Sequence, residues 1–221
     1  AFVFLHGDFT GGGFYSRALV QALGPDQPVL LVHPHGLVDA SVPDTIEAMA
    51  AERIESLRRL RPHGPYVVGG HCNGAFVAFE MARRLIELGE QVPVVVVIEA
   101  RAPGGGGPGA PAGERGSWVT IDASGAPRVI TARDRQSDFW LRYLRAMDRY
   151  TGHRAPVHLV VVRSRELQDA RKDLGWSARA ARVEVHEVAG NRATLITRHL
   201  GELARVVRGA IERAARRTTS R

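Results

Sequence analysis

The sequence is short of several residue types and patterns, and each absence excludes a class of protein. It contains a single cysteine among 221 residues, which excludes an internal disulfide framework and a cysteine cluster for zinc. No apolar run approaches the roughly 20 residues that span a bilayer, and the opening segment AFVFLHG lacks the basic region of a signal peptide. We therefore expect a cytoplasmic protein with no membrane segment and no metal. The first residues already have the pattern of a strand, so we expect a domain cut from a longer chain.

Aromatic residues make up only 6% of the chain, and they do not alternate with basic residues along any stripe. The formal net charge is +7, but the basic residues are mostly arginines spread over predicted helices and the C-terminal tail. Because the charge pattern and motifs of nucleic-acid-binding proteins are missing, we expect no nucleic acid partner. A basic face could instead dock an acidic partner. With 44% hydrophobic residues, the chain is long enough for one sizeable core but not for two.

The most informative segment that is present is YVVGGHCNG, residues 66–74. A short apolar run breaks there into a glycine-flanked cysteine, and a long amphipathic segment follows. This is the pattern of strand, sharp turn and helix in a GxSxG nucleophile elbow, with the sulfur of Cys72 in place of a serine oxygen. The positive end of the helix dipole favours a thiolate there. The sequence therefore predicts Cys72 as a nucleophile; the alternative is a buried cysteine that only packs.

Apolar runs and helical periodicities alternate along the chain. The predicted strands lie at 2–5, 29–32, 66–70, 92–98, 157–162 and 183–188, and the predicted helices at 14–23, 44–61, 73–88, 138–150 and 197–215. This alternation predicts an α/β fold with a mostly parallel sheet and helices on both faces. Ligands bind such sheets at the carboxyl ends of the strands. The polar residues at those ends are Cys72, His35, Glu99 and Arg192.

The glycine-rich loop after the first strand, residues 6–13, suits an oxyanion hole. In enzymes of this architecture a backbone N–H from such a loop joins the N–H of the residue after the nucleophile. Here these donors would be Asp8 or Phe9, together with Asn73. The alternative is that the loop is simply a tight connection.

Residues 102–150 differ in composition from the rest of the predicted domain, which spans 1–221. A Gly/Pro/Ala tract at 104–113 is followed by a possible hairpin around Ser124-Gly125 and then by a helix that carries aromatic residues. A long insertion of this kind after a central strand is typical of a lid over a cleft. A disordered linker is the alternative.

A carboxylate follows the next predicted strand, 27 residues after the cysteine. A nucleophilic thiol needs a base and often an acid that orients the base. Glu99 would point from the strand end into the same cleft as Cys72, so we predict it to be catalytic. The alternative is a structural salt bridge between Glu99 and Arg101.

These segments resemble the thioesterase domains that terminate nonribosomal peptide and polyketide synthetases, which have the α/β-hydrolase fold. The resemblance rests on LHGDFTGGGFYSRALVQALG at the opening, GPYVVGGHCNGAFVAFEMARRLIELGEQV at the elbow and GWSARAARVEVHEVAGNRATLITRHLGELA at the close. It implies that the substrate is an acyl or peptidyl chain on the phosphopantetheine arm of an upstream carrier domain. It also implies a monomeric domain without a bound cofactor, and it places the family's acid, usually aspartate, at Glu99.

The sequence departs from that family in its nucleophile. Cysteine replaces the usual serine, a variant that resembles the thioesterases that release strained β-lactone and monobactam (β-lactam) rings. A thioester keeps the acyl group activated toward an internal nucleophile, whereas an oxygen ester lies lower in energy. The resemblance therefore implies release by cyclisation rather than by plain hydrolysis.

A second departure concerns the base. The family's Gly-Asp-His loop is Gly190-Asn191-Arg192 here, and an arginine cannot accept a proton near neutral pH. We predict His199 as the base, with His35 as the alternative, or else a thiolate that acts without one. Arg101, Arg192 and His35 are then predicted to bind the substrate, the arginines by holding an anionic group such as a carboxylate or sulfamate.

The sequence thus predicts a thioesterase that forms an acyl-enzyme on Cys72 and releases a strained lactam or lactone. Hydrolytic release of a free acid is the alternative within the same class. A degenerate domain that only docks a carrier, and a hydrolase of small soluble esters, are the alternatives from other classes.

Overall fold

In the computed structural model, the described residues are 1–7, 13–36, 41–104, 119–121, 127–129 and 138–219. The strands are β1 (Phe2–Leu5), β2 (Val29–Val32), β3 (Val67–His71), β4 (Val94–Ile98), β5 (Val119–Ile121), β6 (Pro127–Val129), β7 (Ala155–Ser164) and β8 (Ala180–Val188). The helices are α1 (Phe14–Leu23), α2 (Ile46–Leu60), α3 (Gly74–Glu87), α4 (Asp138–Arg149), α5 (Arg192–Leu195) and α6 (Leu200–Thr219), with a 3₁₀ turn at Trp176–Ala178.

Six strands form the main sheet, in the order β2-β1-β3-β4-β7-β8. Every neighbouring pair in this sheet is parallel; Phe2, for example, pairs with Val29 on one side and Val67 on the other. The predicted α/β class is therefore confirmed. Because all six strands run the same way, their carboxyl ends meet at one edge, where the residues after β1, β3, β4 and β7 come together.

The hydrophobic core lies on both faces of this sheet. On one face α2 and α3 pack against alternate residues of the central strands, and on the other face α1 and α6 do so. All five residues of β4 are buried, as its continuous run of valines predicts for a central parallel strand. The layering fixes the register of the strands and with it the positions of their ends.

Local signals explain where α2 begins. The Thr45 side chain accepts a hydrogen bond from the Ala48 N–H at 3.1 Å, and Glu47 adds a negative charge in the first turn. The buried face consists of Ile46, Met49, Ala50, Ile54 and Leu57. The helix, Ile46–Leu60, thus lies within the predicted span of 44–61.

The segment between β4 and β7 carries a small antiparallel pair, β5 with β6, and the helix α4. The pair flanks the turn predicted around Ser124-Gly125, which itself lies outside the described residues, as does 105–118. The end of α4 is tied to α3, because the Tyr150 hydroxyl donates to Glu80 Oε2 at 3.0 Å. Glu80 is fully buried and also accepts from Arg83 and Arg84.

The end of the chain differs from the prediction of one helix over 197–215. The structure has a separate one-turn helix, α5, and a longer α6 that begins at Leu200 and extends to Thr219. Asn191 caps α5: its side chain accepts from the N–H groups of Ala193 and Thr194, and Thr194 Oγ1 accepts from the Asn191 N–H. This capping box turns the chain just after β8 and fixes the first residue of α5, Arg192.

Candidate active site

The turn between β3 and α3 holds Cys72 in a left-handed backbone conformation, with φ of 55°. A non-glycine residue is strained in such a conformation, so the conformation persists only where the surroundings fix it. Here the Cys72 N–H donates to the Ile98 carbonyl at 2.9 Å, which ties the turn to the end of β4. The strand, strained turn and helix of a nucleophile elbow are therefore all present around a half-buried cysteine.

The glycines around Cys72 are required by close approaches of the backbone. A Cβ atom added to Gly70 would lie 2.5 Å from the Ala75 nitrogen, and one added to Gly74 would lie 2.8 Å from the Leu5 carbonyl carbon. Real Cβ atoms essentially never approach other atoms so closely. A Cβ on Gly7 would lie 2.6 Å from the His71 oxygen. The chain after β1 thus lies directly against the elbow.

One predicted oxyanion donor is positioned by this packing. Asn73 is 2% exposed and precedes the first residue of α3. Among the described residues, no acceptor lies within hydrogen-bond distance of the Asn73 backbone N–H. Asp8 and Phe9, the other two predicted donors, lie outside the described residues. The oxyanion hole remains a prediction.

The hydrogen-bond partner of the cysteine sulfur is an arginine. Nη2 of Arg192, at the start of α5, donates to Cys72 Sγ. The interaction with Cys72 raises the pKa of Arg192, burial opposes that rise, and the charge of Glu99 adds to it. This side chain occupies the loop position at which the resemblance leads one to expect a histidine.

Glu99 lies at the same edge of the sheet, directly after β4. It is 6% exposed, has a left-handed backbone with φ of 52°, and donates its N–H to the Val162 carbonyl at 2.9 Å. Its Oε1 accepts the N–H of Ser164, the last residue of β7. The carboxylate is thereby held between the ends of β4 and β7. The charge of this carboxylate helps to raise the pKa of Arg192, the hydrogen-bond partner of Cys72.

All nine histidines of the chain are among the described residues, and none is a hydrogen-bond partner of Cys72. His199, the predicted base, packs over Gly190, where an added Cβ would lie 2.6 Å from the imidazole Cδ2. His35 is 1% exposed, and its Nε2 lies 3.2 Å from Glu52 Oε2. The remaining partners are His6 with His33, His63 with Glu90, His71 with Tyr15, His158 with Arg217 and His186 with Glu184, while His153 is exposed.

Arg101 forms its salt bridge with Asp169 and not with Glu99, the partner considered from the sequence. Its Nε lies 2.7 Å from Asp169 Oδ2, in the loop after β7, and its side chain is 52% exposed. The structural salt bridge that the sequence left open therefore joins Arg101 to Asp169 rather than to Glu99. This pairing turns the guanidinium toward the surface loop.

Two tyrosines near the site were not predicted as site residues. Tyr143, on α4, is 2% exposed, and its pKa is raised by burial and further by the charge of Cys72. The hydroxyl of Tyr15, on α1, accepts from the Gly7 N–H at 3.0 Å and pairs with His71 Nδ1 at 2.9 Å. The aromatic character of α4 was the only sequence signal for Tyr143, and Tyr15 gave none.

Clusters of metal-ligating side chains are absent from the part of the chain that the structure describes. No group of three or more histidine, cysteine, aspartate or glutamate side chains converges there in a way that could hold an ion. Nor does any helix among those residues have the length and apolarity to cross a membrane.

Several known proteins are similar to this chain in sequence or in fold. Malpibaldin synthetase of Mortierella alpina is 39% identical over 85 residues, which make up 38% of this chain but only 2% of that synthetase. The NocB thioesterase domain in covalent complex with a fluorophosphonate nocardicin G analogue superposes with a TM-score of 0.68; it is 24% identical, over 96% of this chain and 94% of that domain. The SrfTE thioesterase domain, described as cyclising the lipopeptide antibiotic surfactin, superposes with a TM-score of 0.63 at 14% identity, over 93% of this chain and 91% of that one.

The solved structures share the thioesterase α/β-hydrolase fold with this chain, and the curated relatives are far longer synthetases of which it spans a small part. The family model for the thioesterase domain matches residues 3–211. That range takes in the elbow, the Glu99 strand end and the Arg192 turn. The chain therefore belongs to the thioesterase domain family.

Proposed function

We propose that this domain releases an acyl or peptidyl chain from the phosphopantetheine arm of a carrier domain by way of an acyl-enzyme on Cys72. The observation that carries this proposal is the left-handed turn that presents Cys72 at the carboxyl edge of the sheet, beside an Asn73 N–H without an acceptor among the described residues. A thioester carbonyl placed at the sulfur would have its developing oxyanion near that donor. Asp8 or Phe9 would supply the second donor.

The carrier is proposed as an upstream domain of the same synthetase. Malpibaldin synthetase, of which the matched region is a few per cent, is a much longer protein. The chain would then be presented by a tethered arm, so the thioesterase needs no cofactor of its own. The formal charge of +7 would favour an acidic docking face on the carrier.

Release is proposed to occur by cyclisation, with a strained lactam or lactone as the product. None of the nine histidines hydrogen-bonds Cys72, so no imidazole is paired with the nucleophile, as the usual activation of water for hydrolysis would require. A nucleophile within the acyl chain needs no such activation to be held at the carbonyl. A thioester on cysteine also remains reactive toward an amine.

The remaining site residues have proposed roles of different kinds. Glu99 would orient the charged group at Cys72. Arg101 and His35 would contact the substrate only if they left Asp169 and Glu52. His199 would act as the base only if it moved from its place over Gly190.

An acylation experiment tests the nucleophile. Incubation with an acyl-pantetheine thioester should add one acyl mass to the native protein, and Cys72→Ala should give no adduct, because no other cysteine is present. Intact mass spectrometry measures both. A native protein that never acquires the acyl mass would favour a domain that only docks carriers.

The histidines are tested in the same assay by a matched pair. His199→Ala should leave acylation within about twofold of native, as should the exposed control His153→Ala, since neither side chain contacts the sulfur. A loss of tenfold or more in His199→Ala alone would make His199 the base.

A further inference from the structure

A permanent cation contacts the one cysteine sulfur of this chain. Nη2 of Arg192 donates to Cys72 Sγ, and a guanidinium stays protonated at any pH at which the protein is folded. The side chain that meets the nucleophile can therefore donate hydrogen bonds and positive charge but cannot take a proton. A histidine at this position could accept a proton at neutral pH.

The surroundings hold the arginine in that place. The Asn191 capping box fixes the turn that begins with Arg192, and the charge of Glu99, itself held by the Ser164 N–H, lies close enough to act on the guanidinium. Charge-assisted hydrogen bonds of this kind are short and directional. Arg192 thus hydrogen-bonds Cys72 and also interacts electrostatically with a carboxylate of fixed position.

We propose that Arg192 holds Cys72 as a thiolate for acyl transfer and, because it cannot activate water, directs the acyl-enzyme toward attack by a nucleophile within the acyl chain. This inference rests on the proposed function and adds that Arg192 decides whether the acyl-enzyme is released by cyclisation or by hydrolysis. Arg192 contacts the reacting sulfur, so it is a catalytic residue in this scheme.

Both steps balance without another reactant. The Cys72 thiolate attacks the thioester carbonyl, the bond from that carbon to the pantetheine sulfur breaks, and the departing thiolate takes a proton from water. An amine or hydroxyl of the acyl chain then attacks the same carbon and loses its proton to water. The bond to Cys72 Sγ breaks, and the sulfur returns as a thiolate to the Arg192 guanidinium.

The ionisable groups that face this pair come from several elements. Tyr143 on α4 interacts electrostatically with Cys72, and burial raises the pKa of this tyrosine, so it stays neutral. Glu99 after β4, Tyr15 on α1 and His71 at the end of β3 act on Arg192 or are acted on by it. The pKa of His71 is lowered to about 3, chiefly by burial and then by Arg192. Neither Tyr143 nor His71 therefore changes charge between pH 6 and 10.

The first test measures the thiolate without any thioesterase substrate. Iodoacetamide alkylates only ionised sulfur, and Cys72 is the one cysteine, so intact mass reports its rate directly. At pH 6 we expect Arg192→Gln to be alkylated at least tenfold more slowly than native protein, and the difference to disappear by pH 10. Arg192→Lys should recover part of the pH 6 rate, because it restores the charge. Arg59→Gln, an exposed arginine on α2, is the control and should match native protein.

Equal alkylation rates at pH 6 in native protein and Arg192→Gln would overturn the thiolate role. That result would leave acylation of Cys72 by a pantetheine thioester standing, so failure of this inference differs from failure of the proposed function. A slow Arg192→Gln that Arg192→Lys does not improve would also overturn it, because loss of packing rather than of charge would then be the cause.

The second test measures the partition of the acyl-enzyme. With 3-aminopropanoyl-pantetheine, the ratio of cyclic amide to linear acid should fall at least tenfold in Arg192→His, since the new imidazole can activate water. An unchanged ratio in a variant that still acylates would overturn the directing role. If native protein fails to acylate, the proposed function fails, and the alkylation test still decides what Arg192 does to the sulfur.

Discussion

At Gly74 the elbow helix and the first strand approach so closely that a single methyl group does not fit. The close atoms belong to the backbone of Leu5, which cannot rotate away as a flexible side chain can. Gly201, in the first turn of α6, has no atom within 4 Å of its own added Cβ. The two glycines therefore differ in surroundings while both lie at the beginning of a helix.

This difference predicts opposite effects of the same substitution. Gly74→Ala should lower the free energy of unfolding by about 1–3 kcal/mol or more, as overpacking does, and should also displace the elbow. Gly201→Ala should be neutral or stabilise by up to about 1 kcal/mol, because alanine favours a helix and nothing opposes it. Urea denaturation measures both. Equal losses in the two variants would contradict the close packing of strand and helix.

Individual residues of the site differ in how well the sequence predicts their contacts. The glycine-flanked pattern pointed to the elbow at Cys72, because spacing alone carries that signal. It could not show that Arg192 reaches the sulfur, since 120 residues separate the two and the contact depends on the direction of one side chain. Nor could it show the pairing of Arg101 with Asp169, which lie 68 residues apart.

At the scale of elements, α4 is held to the rest of the fold through its last residues. The buried Glu80 accepts from the Tyr150 hydroxyl and from two arginines of its own helix, so it is fully engaged by donors. Tyr143, a buried residue of α4, lies on the same anchored helix. The anchor at Tyr150 thus fixes the end of α4 against α3.

Removing that hydroxyl should loosen α4 selectively. Tyr150→Phe should cost about 1 kcal/mol of unfolding free energy and raise the amide hydrogen exchange of residues 138–149. The matched control is Tyr66→Phe, which removes a hydroxyl that donates to the Arg61 carbonyl at 2.7 Å far from α4. The control should lose a similar stability without faster exchange in α4. Faster exchange in both variants, or in neither, would refute the anchoring role.

Elements with strong local signals were predicted closely, and those without were not. The bounds of α1 and β2 match the periodicity because glycine, proline and apolar spacing coincide there. The one-turn helix α5 was missed because four residues cannot show a helical period. Its signal was the Asn191-x-x-Thr194 capping pair, which the structure shows to be formed.

For the molecule as a whole, the buried His71 links stability to pH. Burial, then Arg192, lowers its pKa from the ordinary value of 6.5 to about 3. Between these two pH values the unfolded chain binds a proton that the folded chain does not, so the free energy of unfolding rises with pH. This contribution is complete above pH 6.5 and is lost as the pH falls toward 3.

Replacing the imidazole should flatten that dependence. His71→Gln should remove up to about 1.4 kcal/mol per pH unit from the slope of unfolding free energy between pH 4 and 6. His153→Gln, at an exposed position, is the control and should keep the native slope. Denaturant titrations at several pH values measure the slopes, and superimposable curves for native protein and His71→Gln would exclude a neutral buried imidazole.

The second face of the sheet is covered by α1 and α6, the first and last helices of the described chain. Within the described chain Phe2 and Phe4, which pack there, lie on the first strand, whereas α6 is the last helix and is translated after every strand of the sheet. Each strand of the main sheet also joins its neighbours only through long crossovers, so few of its contacts are local. The part of this apolar face that α6 covers thus stays exposed until translation of the domain is nearly finished, because α1 alone packs beside it until then, and exposed apolar surface of this kind favours aggregation of a nascent chain.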